Sequence, residues 1–227
     1  MTANTTRFTI AVAALCVATA GFAAAGHIAA TGKGFNRASA IFPAGDPVHG
    51  KQLAVTCLAC HGENAPMVGD PPMHQPKLQH QHPASIFYAL EDYKNGSRKS
   101  DFMTPMVAAL SEQDMRDLSV YLSGPPRPPR SRAPEQASAQ PPAIVAGHTK
   151  VTQQCGFCHG QTGLGVMEGI PMLAGQHQDY LKSAMAAYAS GARKNPTMHA
   201  AMQGLTPKEI NDTTPYLSAQ TGLEFAR

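Results

Sequence analysis

The pentapeptide Cys57-Leu58-Ala59-Cys60-His61 returns 98 residues later as Cys155-Gly156-Phe157-Cys158-His159. On a turn of helix, positions i, i+3 and i+4 share a face, so each copy gathers two thiols and an imidazole on one side. C-x-x-C-H is the attachment pattern of a c-type haem. The thiols take the two vinyl groups of the porphyrin and the histidine reaches the iron. Two copies therefore predict two covalently bound haem c groups, held by Cys57 and Cys60 and by Cys155 and Cys158, with His61 and His159 as iron ligands. A four-thiolate zinc site or a disulfide framework would leave the histidine after each second cysteine unexplained.

The duplication extends well beyond the motifs. A shift of 95 residues superposes Pro76 on Pro171, Leu78 on Leu173, Gln81-His82 on Gln176-His177, Tyr93 on Tyr188, Arg98-Lys99 on Arg193-Lys194 and Tyr121-Leu122-Ser123 on Tyr216-Leu217-Ser218. Because the motifs themselves are offset by 98, the first unit carries three extra residues before Pro76, and the loop around Asp70-Pro71-Pro72-Met73 is where they fit. Between the units, Gly124 to Ala143 holds seven Pro and three Arg and no apolar periodicity, the composition of an extended, semi-rigid connector. A linker of this length leaves open how the units face one another. Arg127, Arg130 and Arg132 within it read as solvated, with an acidic partner or porphyrin carboxylates as the alternative.

The chain therefore divides into a leader (1–40), a first domain (41–124), a Pro-rich linker (125–142) and a second domain (143–227). In the leader, Arg7 precedes an Ala-rich apolar run, Phe8 to Ala25. This has the form of a secretory signal peptide, with retention as an anchor through residues 8–25 as the other reading. Cys16 lies inside it, so the mature chain has no cysteine outside the two motifs. Export and haem attachment agree on a periplasmic location. A net charge of +3 with no Trp, and no basic cluster interleaved with aromatics, excludes nucleic acid as a partner.

Each unit reads as all-α. Asp46-Pro47 caps and opens a first helix. Pro83 opens another, with Ile86, Phe87, Leu90 and Tyr93 on one face and Gly96 at its end. Ser111-x-x-Asp114 and Thr206-x-x-Glu209 are capping boxes for a last helix in each unit. Pro215 falls inside the second of these and predicts a kink or early stop.

The second axial position decides whether an iron passes electrons or does chemistry. Of 11 Met, only Met103 and Met198 are in register between the units, each 27 residues after the matched Pro and 8 before the final cap. They are the expected sulfur ligands. His82 and His177 are also in register and form the bis-histidine alternative. Pro76 and Pro171 are candidates to offer a carbonyl to the proximal imidazole. Arg98, Lys99, Arg193 and Lys194 read either as partners of porphyrin carboxylates or as solvated cations.

With both C-x-x-C-H motifs, Pro171-Met172-Leu173-Ala174-Gly175-Gln176, the Tyr-x-x-Gly-x-Arg stretches at Tyr93–Arg98 and Tyr188–Arg193, and the Tyr-Leu near each unit's end, residues 45–222 resemble the di-haem cytochrome c4 family. The resemblance implies two tandem class I cytochrome c domains, His/Met ligation, a periplasmic place with frequent membrane association, and electron delivery toward terminal oxidases in a respiratory chain. On this reading the chain is an electron carrier and its partners are redox proteins. The alternatives are a haem subunit of a larger dehydrogenase or oxidase complex, or a di-haem oxidoreductase enzyme.

Overall fold

Local signals in the sequence fix most helix starts. In the computed structural model, which describes residues 45–125, 142–165 and 167–223, the Asp46 side chain accepts from the Val48 amide at 2.8 Å and Pro47 sits in the first turn. Helix α1 (Pro47–Leu53) leads directly into α2 (Val55–His61). Helix α3 (Pro83–Lys94) buries Ile86, Phe87, Leu90 and Tyr93, as their spacing requires. A short α4 (Met103–Ala108) precedes α5 (Glu112–Ser123), whose capping box closes in both directions between Ser111 and Asp114. Among the described residues the only pairing of extended backbone is the bridge between Val68 and Met73, which closes the loop containing the inserted residues.

The second domain repeats this order. Helix α6 (Pro142–Lys150) begins within the stretch read as linker. It runs through a π-helical turn (Val151–Cys155) into α7 (Gly156–His159). Then follow α8 (Gln178–Ala189), α9 (Pro196–Met202) and α10 (Pro207–Ala219), the last capped by the Thr206–Glu209 box. The leader, the linker residues 126–141 with Arg127, Arg130 and Arg132, and hence the expected signal or anchor, lie outside the described residues. No described helix is long and apolar enough to cross a membrane.

The early stop expected at Pro215 does not occur: α10 continues to Ala219. Proline removes one backbone bond, but α10 is packed on both sides, against α6 and α8. Packing of this kind supplies most of a helix's stability in a folded protein. The closest approach is at Gly147, where an added Cβ would lie 2.2 Å from the Asp212 carbonyl oxygen. Gly50 plays the same part in the first domain, 2.1 Å from the Asp117 carbonyl oxygen. In both domains the helix leading to C-x-x-C-H crosses the last helix at a glycine, and this holds the motif against the core.

The two domains are joined by a reciprocal pair of glutamines. Gln81 donates to the Met172 carbonyl at 3.0 Å and accepts from the Met172 amide at 2.8 Å. Gln176 donates to the Lys77 carbonyl at 3.1 Å and accepts from the Lys77 amide at 2.9 Å. A carboxamide carries one donor face and one acceptor face, so it pairs with a peptide much as a neighbouring strand would. Lys77 and Met172 are equivalent in the repeat, as are Gln81 and Gln176, so the exchange has two-fold character. Further ties are not symmetric. Glu168 accepts from the Ala84 amide at the start of α3 (3.3 Å), and Asp179 accepts from the His74 amide (2.9 Å). The linker's length left the relation between the units open; side chains of the domains themselves set it.

Candidate haem sites

The first motif lies on α2, which presents Cys57, Cys60 and His61 on successive turns. In the second, Cys155 ends the π-helical turn while Cys158 and His159 lie on α7. All four cysteines are free thiols. His61 and His159 are 7% and 6% exposed. Each Nδ1 lies 2.8 Å from a proline carbonyl, Pro76 for His61 and Pro171 for His159. A carbonyl can only accept, so the proton sits on Nδ1 and the Nε2 lone pair is left for a metal. Burial lowers both imidazole pKa values against the opposing pull of the carbonyls, which keeps the rings neutral and able to ligate.

Both rings line one cavity of about 850 Å3 that runs through the two domains. Cys57, Cys155 and Cys158 also line it, and so do Met103 and Met198; Cys60 is not among its lining residues. The rest of the wall is largely apolar, with Leu53, Leu78, Ile86, Leu90 and Val107 on one side and Leu173, Leu181, Met185, Leu205 and Leu217 on the other. Met103 is the first residue of α4, and its amide donates to Ser100 Oγ at 3.1 Å. Met198 is in the first turn of α9, and its amide donates to Asn195 Oδ1 at 3.0 Å. Ser100 and Asn195 are themselves equivalent in the repeat, so the amide of each in-register Met is held by the side chain three residues before it. Met106, with no counterpart Met, is 48% exposed. Met202, Met185, Met172, Met106 and Met73 also line the cavity, so the wall alone does not single out two sulfurs; Met103 and Met198 are the pair in register.

His82 and His177, the alternative ligands, stand at the N-cap positions of α3 and α8. Instead of facing His61 and His159, they belong to the contact between domains. His177 stacks on His74 with ring centroids 4.6 Å apart and an interplanar angle of 16°, and His74 Nδ1 meets Asp179 Oδ2 at 2.8 Å. Burial, Lys77 and His74 together push the His177 pKa down to about 4. Although these three side chains are of metal-ligating type, two nearly parallel rings do not aim their lone pairs at a common point. Their geometry is that of a stacked, hydrogen-bonded joint.

Arg98 and Arg193 resolve the choice between solvated cation and buried donor. Arg98 lies over the Tyr93 ring at 4.4 Å and Arg193 over the Tyr188 ring at 4.5 Å, and both line the cavity. Arg98 Nη2 also donates across the domain boundary to the Tyr180 hydroxyl at 3.0 Å. Burial alone would raise the Tyr180 pKa, but the two guanidinium groups outweigh it and bring the phenol down to about 8. Arg193 Nε is buried with no hydrogen-bond partner among the described residues. A buried cationic donor of this kind is costly unless an anion meets it, and the carboxylates of a porphyrin are suitable anions. Two thiols, a neutral imidazole, an apolar slot and an unmet guanidinium donor in each domain or between them fit haem c.

Sequence reasoning missed Tyr180 and the role of the glutamines. The in-register Gln81 and Gln176 were a legible signal. Tyr180 was not, because the repeat places Ser85 at its position.

The sequence profile of the cytochrome c family matches residues 47–124 and 144–221, a tandem arrangement of one fold. Among individual proteins, the chain is 34% identical to cytochrome c4 from Thiocapsa roseopersicina over 76% of its own length and 92% of that protein. It is 33% identical to the thiosulfate dehydrogenase electron acceptor of Stutzerimonas stutzeri (strain A1501), over 63% of this chain and 67% of that one. The crystal structure of reduced recombinant cytochrome c4 from Pseudomonas stutzeri superposes with a TM-score of 0.62 at 27% identity, covering 78% of this chain and all of that one. The chain belongs to the cytochrome c4 family, proteins of two tandem cytochrome c domains. It is thus an electron carrier with two covalently bound haem c groups, and its partners are redox proteins.

Proposed function

We propose that this chain carries electrons in the periplasm, between a donor protein and a terminal oxidase of a respiratory chain, with both irons closed to exogenous ligands. Cys57 and Cys60 would hold one haem and Cys155 and Cys158 the other; His61 with Met103, and His159 with Met198, would ligate the two irons. The observation that carries this reading is the matched proximal geometry, an imidazole in each domain locked at 2.8 Å to a proline carbonyl, together with a capped methionine at equivalent positions. When bound, haem supplies a reversible one-electron couple at iron, and sulfur opposite histidine favours the reduced state and a high potential. The protein's share is to hold the ligating nitrogens and sulfurs in place, exclude water with the apolar wall, and satisfy the anionic edge with Arg98 and Arg193.

A partner must reach an edge of the porphyrin. Phe102 and Met106, 53% and 48% exposed, flank Met103; their counterparts in the second domain are Thr197 and Ala201. An apolar rim beside the first site supports docking there. The name of the Stutzerimonas relative supports a dehydrogenase as one donor, and with it a place in a larger complex as the second reading.

The test is the absorption spectrum of the oxidised protein. Both sites should contribute a weak long-wavelength band from sulfur on ferric iron. Met103→Ala and Met198→Ala should each remove about half of it, and the reduced protein should bind carbon monoxide slowly or not at all. Rapid carbon monoxide uptake by both haems, or loss of the band in Met106→Ala, would refute the ligand assignment. Reduction by a purified donor dehydrogenase and oxidation by membranes containing an oxidase test the direction of flow.

A further inference from the structure

We propose that Tyr180 is a positioning residue that couples the two haem sites, its hydroxyl holding the arginine of the first domain from within the second. The phenol stands in the first turn of α8 and lines the shared cavity. It accepts from Arg98 Nη2 of the first domain at 3.0 Å and lies in the field of the Arg193 guanidinium of its own domain. Each guanidinium is held flat against a tyrosine of its own domain, Tyr93 or Tyr188, and these four side chains are the charged and titratable groups acting on the phenol. Arg193 Nε remains an unmet donor. The two guanidinium groups that can meet haem carboxylates are thus not independent: the phenol that binds Arg98 also carries the charge influence of Arg193.

The link is also one-sided. The glutamine exchange is matched residue for residue by the repeat, whereas the counterpart of Tyr180 is Ser85, whose side chain is too short to span the joint. A symmetric joint would perturb both haems alike. This one transmits through a single residue of the second domain. Hydrogen bonding and charge near the porphyrin are among the levers that set haem potential, and a hydrogen bond involving a charged group is worth more than a neutral one. A change of charge at the first haem that draws Arg98 is therefore felt within the second domain through the phenol that binds it.

The proposal rests on each domain carrying a haem. That premise fails or stands on haem stoichiometry and the visible spectrum, before any potential is measured. The experiment is a double-mutant cycle on the holoprotein with Tyr180→Phe, Arg98→Lys and the pair. Both reduction potentials are read by spectroelectrochemistry, and each haem is assigned by its paramagnetic methyl resonances. Tyr180→Phe should alter the oxidised-to-reduced ratio at fixed applied potential several-fold at both haems. Arg98→Lys, in the first domain, should shift the haem of the second domain when Tyr180 is present and leave it unmoved when Phe replaces it. A Tyr180→Phe effect confined to the second domain's haem overturns the proposal, as does an Arg98→Lys effect there that survives loss of the phenol. If Tyr180→Phe fails to load both haems, Arg98→Lys alone decides: no movement of the second domain's haem refutes the coupling.

Discussion

The two domains hold their proposed iron ligands by the same means and their helices by different ones. Both use a proline carbonyl on the proximal imidazole, a side-chain oxygen three residues earlier that accepts from the methionine amide, and a glycine where the first and last helices cross. Between those same helices, the first domain places a buried Asp117, which accepts from the Asp46 amide at 2.7 Å, from His49 Nδ1 at 2.8 Å and from Gln113 at 2.7 Å. In the second domain the equivalent Asp212 pairs with Lys208 on its own helix at 2.5 Å. The tie to the first helix passes instead to Glu209, which meets Lys150. The positions that must place an atom near iron admit one chemical solution. Those that only hold one helix on another admit several, since any complementary pair of suitable reach will serve.

The glycine crossings are the severest check on this equivalence. An added methyl meets a backbone oxygen in both cases, and neither helix can retreat without moving its C-x-x-C-H motif. Gly50→Ala should destabilise the first domain and Gly147→Ala the second, each by about 3 kcal/mol, in denaturant titrations followed through the haem resonances of each domain. Equal loss in both domains from either substitution would show that they unfold as one unit and that the comparison between them is empty.

Next in size is the glutamine exchange. Gln81→Ala leaves the Met172 amide and carbonyl without their partner, and Gln176→Ala does the same to Lys77. Each should cost about 1–3 kcal/mol and speed amide exchange at the orphaned peptide. Matched effects sharpen the two-fold description. A much larger loss from one of them locates the joint's strength in the asymmetric contacts of His74, Glu168 and Tyr180.

His80 offers a smaller effect of opposite sign. It adopts φ +69° where the second domain has Gly175 at φ +76°, a region that charges most side chains a steric cost. His80→Gly should stabilise the first domain by up to about 1 kcal/mol, seen as a raised midpoint of unfolding. Gly175→Ala should do the reverse and more, because its Cβ would also lie 3.1 Å from the Gln220 and Leu223 carbonyl oxygens.

The weakest and most specific difference is in pH dependence. Hydrogen bonding to Asp117 raises the His49 pKa above its ordinary 6.5, and the bond from His49 lowers that of Asp117 below 3.8. The histidine's contribution is complete below 6.5 and disappears as pH rises through its raised folded value. The aspartate's is complete above 3.8 and disappears as pH falls through its lowered one. In the second domain, the bond from Lys150, helped by Thr206, lowers Glu209 from 4.5 to about 2. That contribution is present above 4.5 and is lost only in acid. The first domain should therefore lose stability on passing from pH 6 to pH 8, the second should not, and His49→Gln should flatten the first domain's profile; pH-dependent unfolding resolved by domain is the measurement.

The reading of the sequence succeeded where an interaction closes within a few residues. Asp46 with Val48, Ser111 with Asp114, Thr206 with Glu209 and the face formed by Ile86, Phe87, Leu90 and Tyr93 are all short-range, and the repeat matches the Ser111 and Thr206 boxes to one another. Of the kink or early stop expected at Pro215, the early stop did not follow, because packing on α6 and α8 carries α10 on to Ala219. The sequence was silent on Tyr180, since neither periodicity nor register marks a side chain whose partner lies 82 residues away.

From its order of residues alone, this chain declares two covalent haem motifs, a helical unit written twice and the two sulfurs that stand in register, because spacing along a helix converts directly into a shared face. Whether the units touch and which arginine meets which phenol were settled only on folding. Those are contacts between distant segments, and their partners are chosen by the packing of whole helices, which no local pattern records.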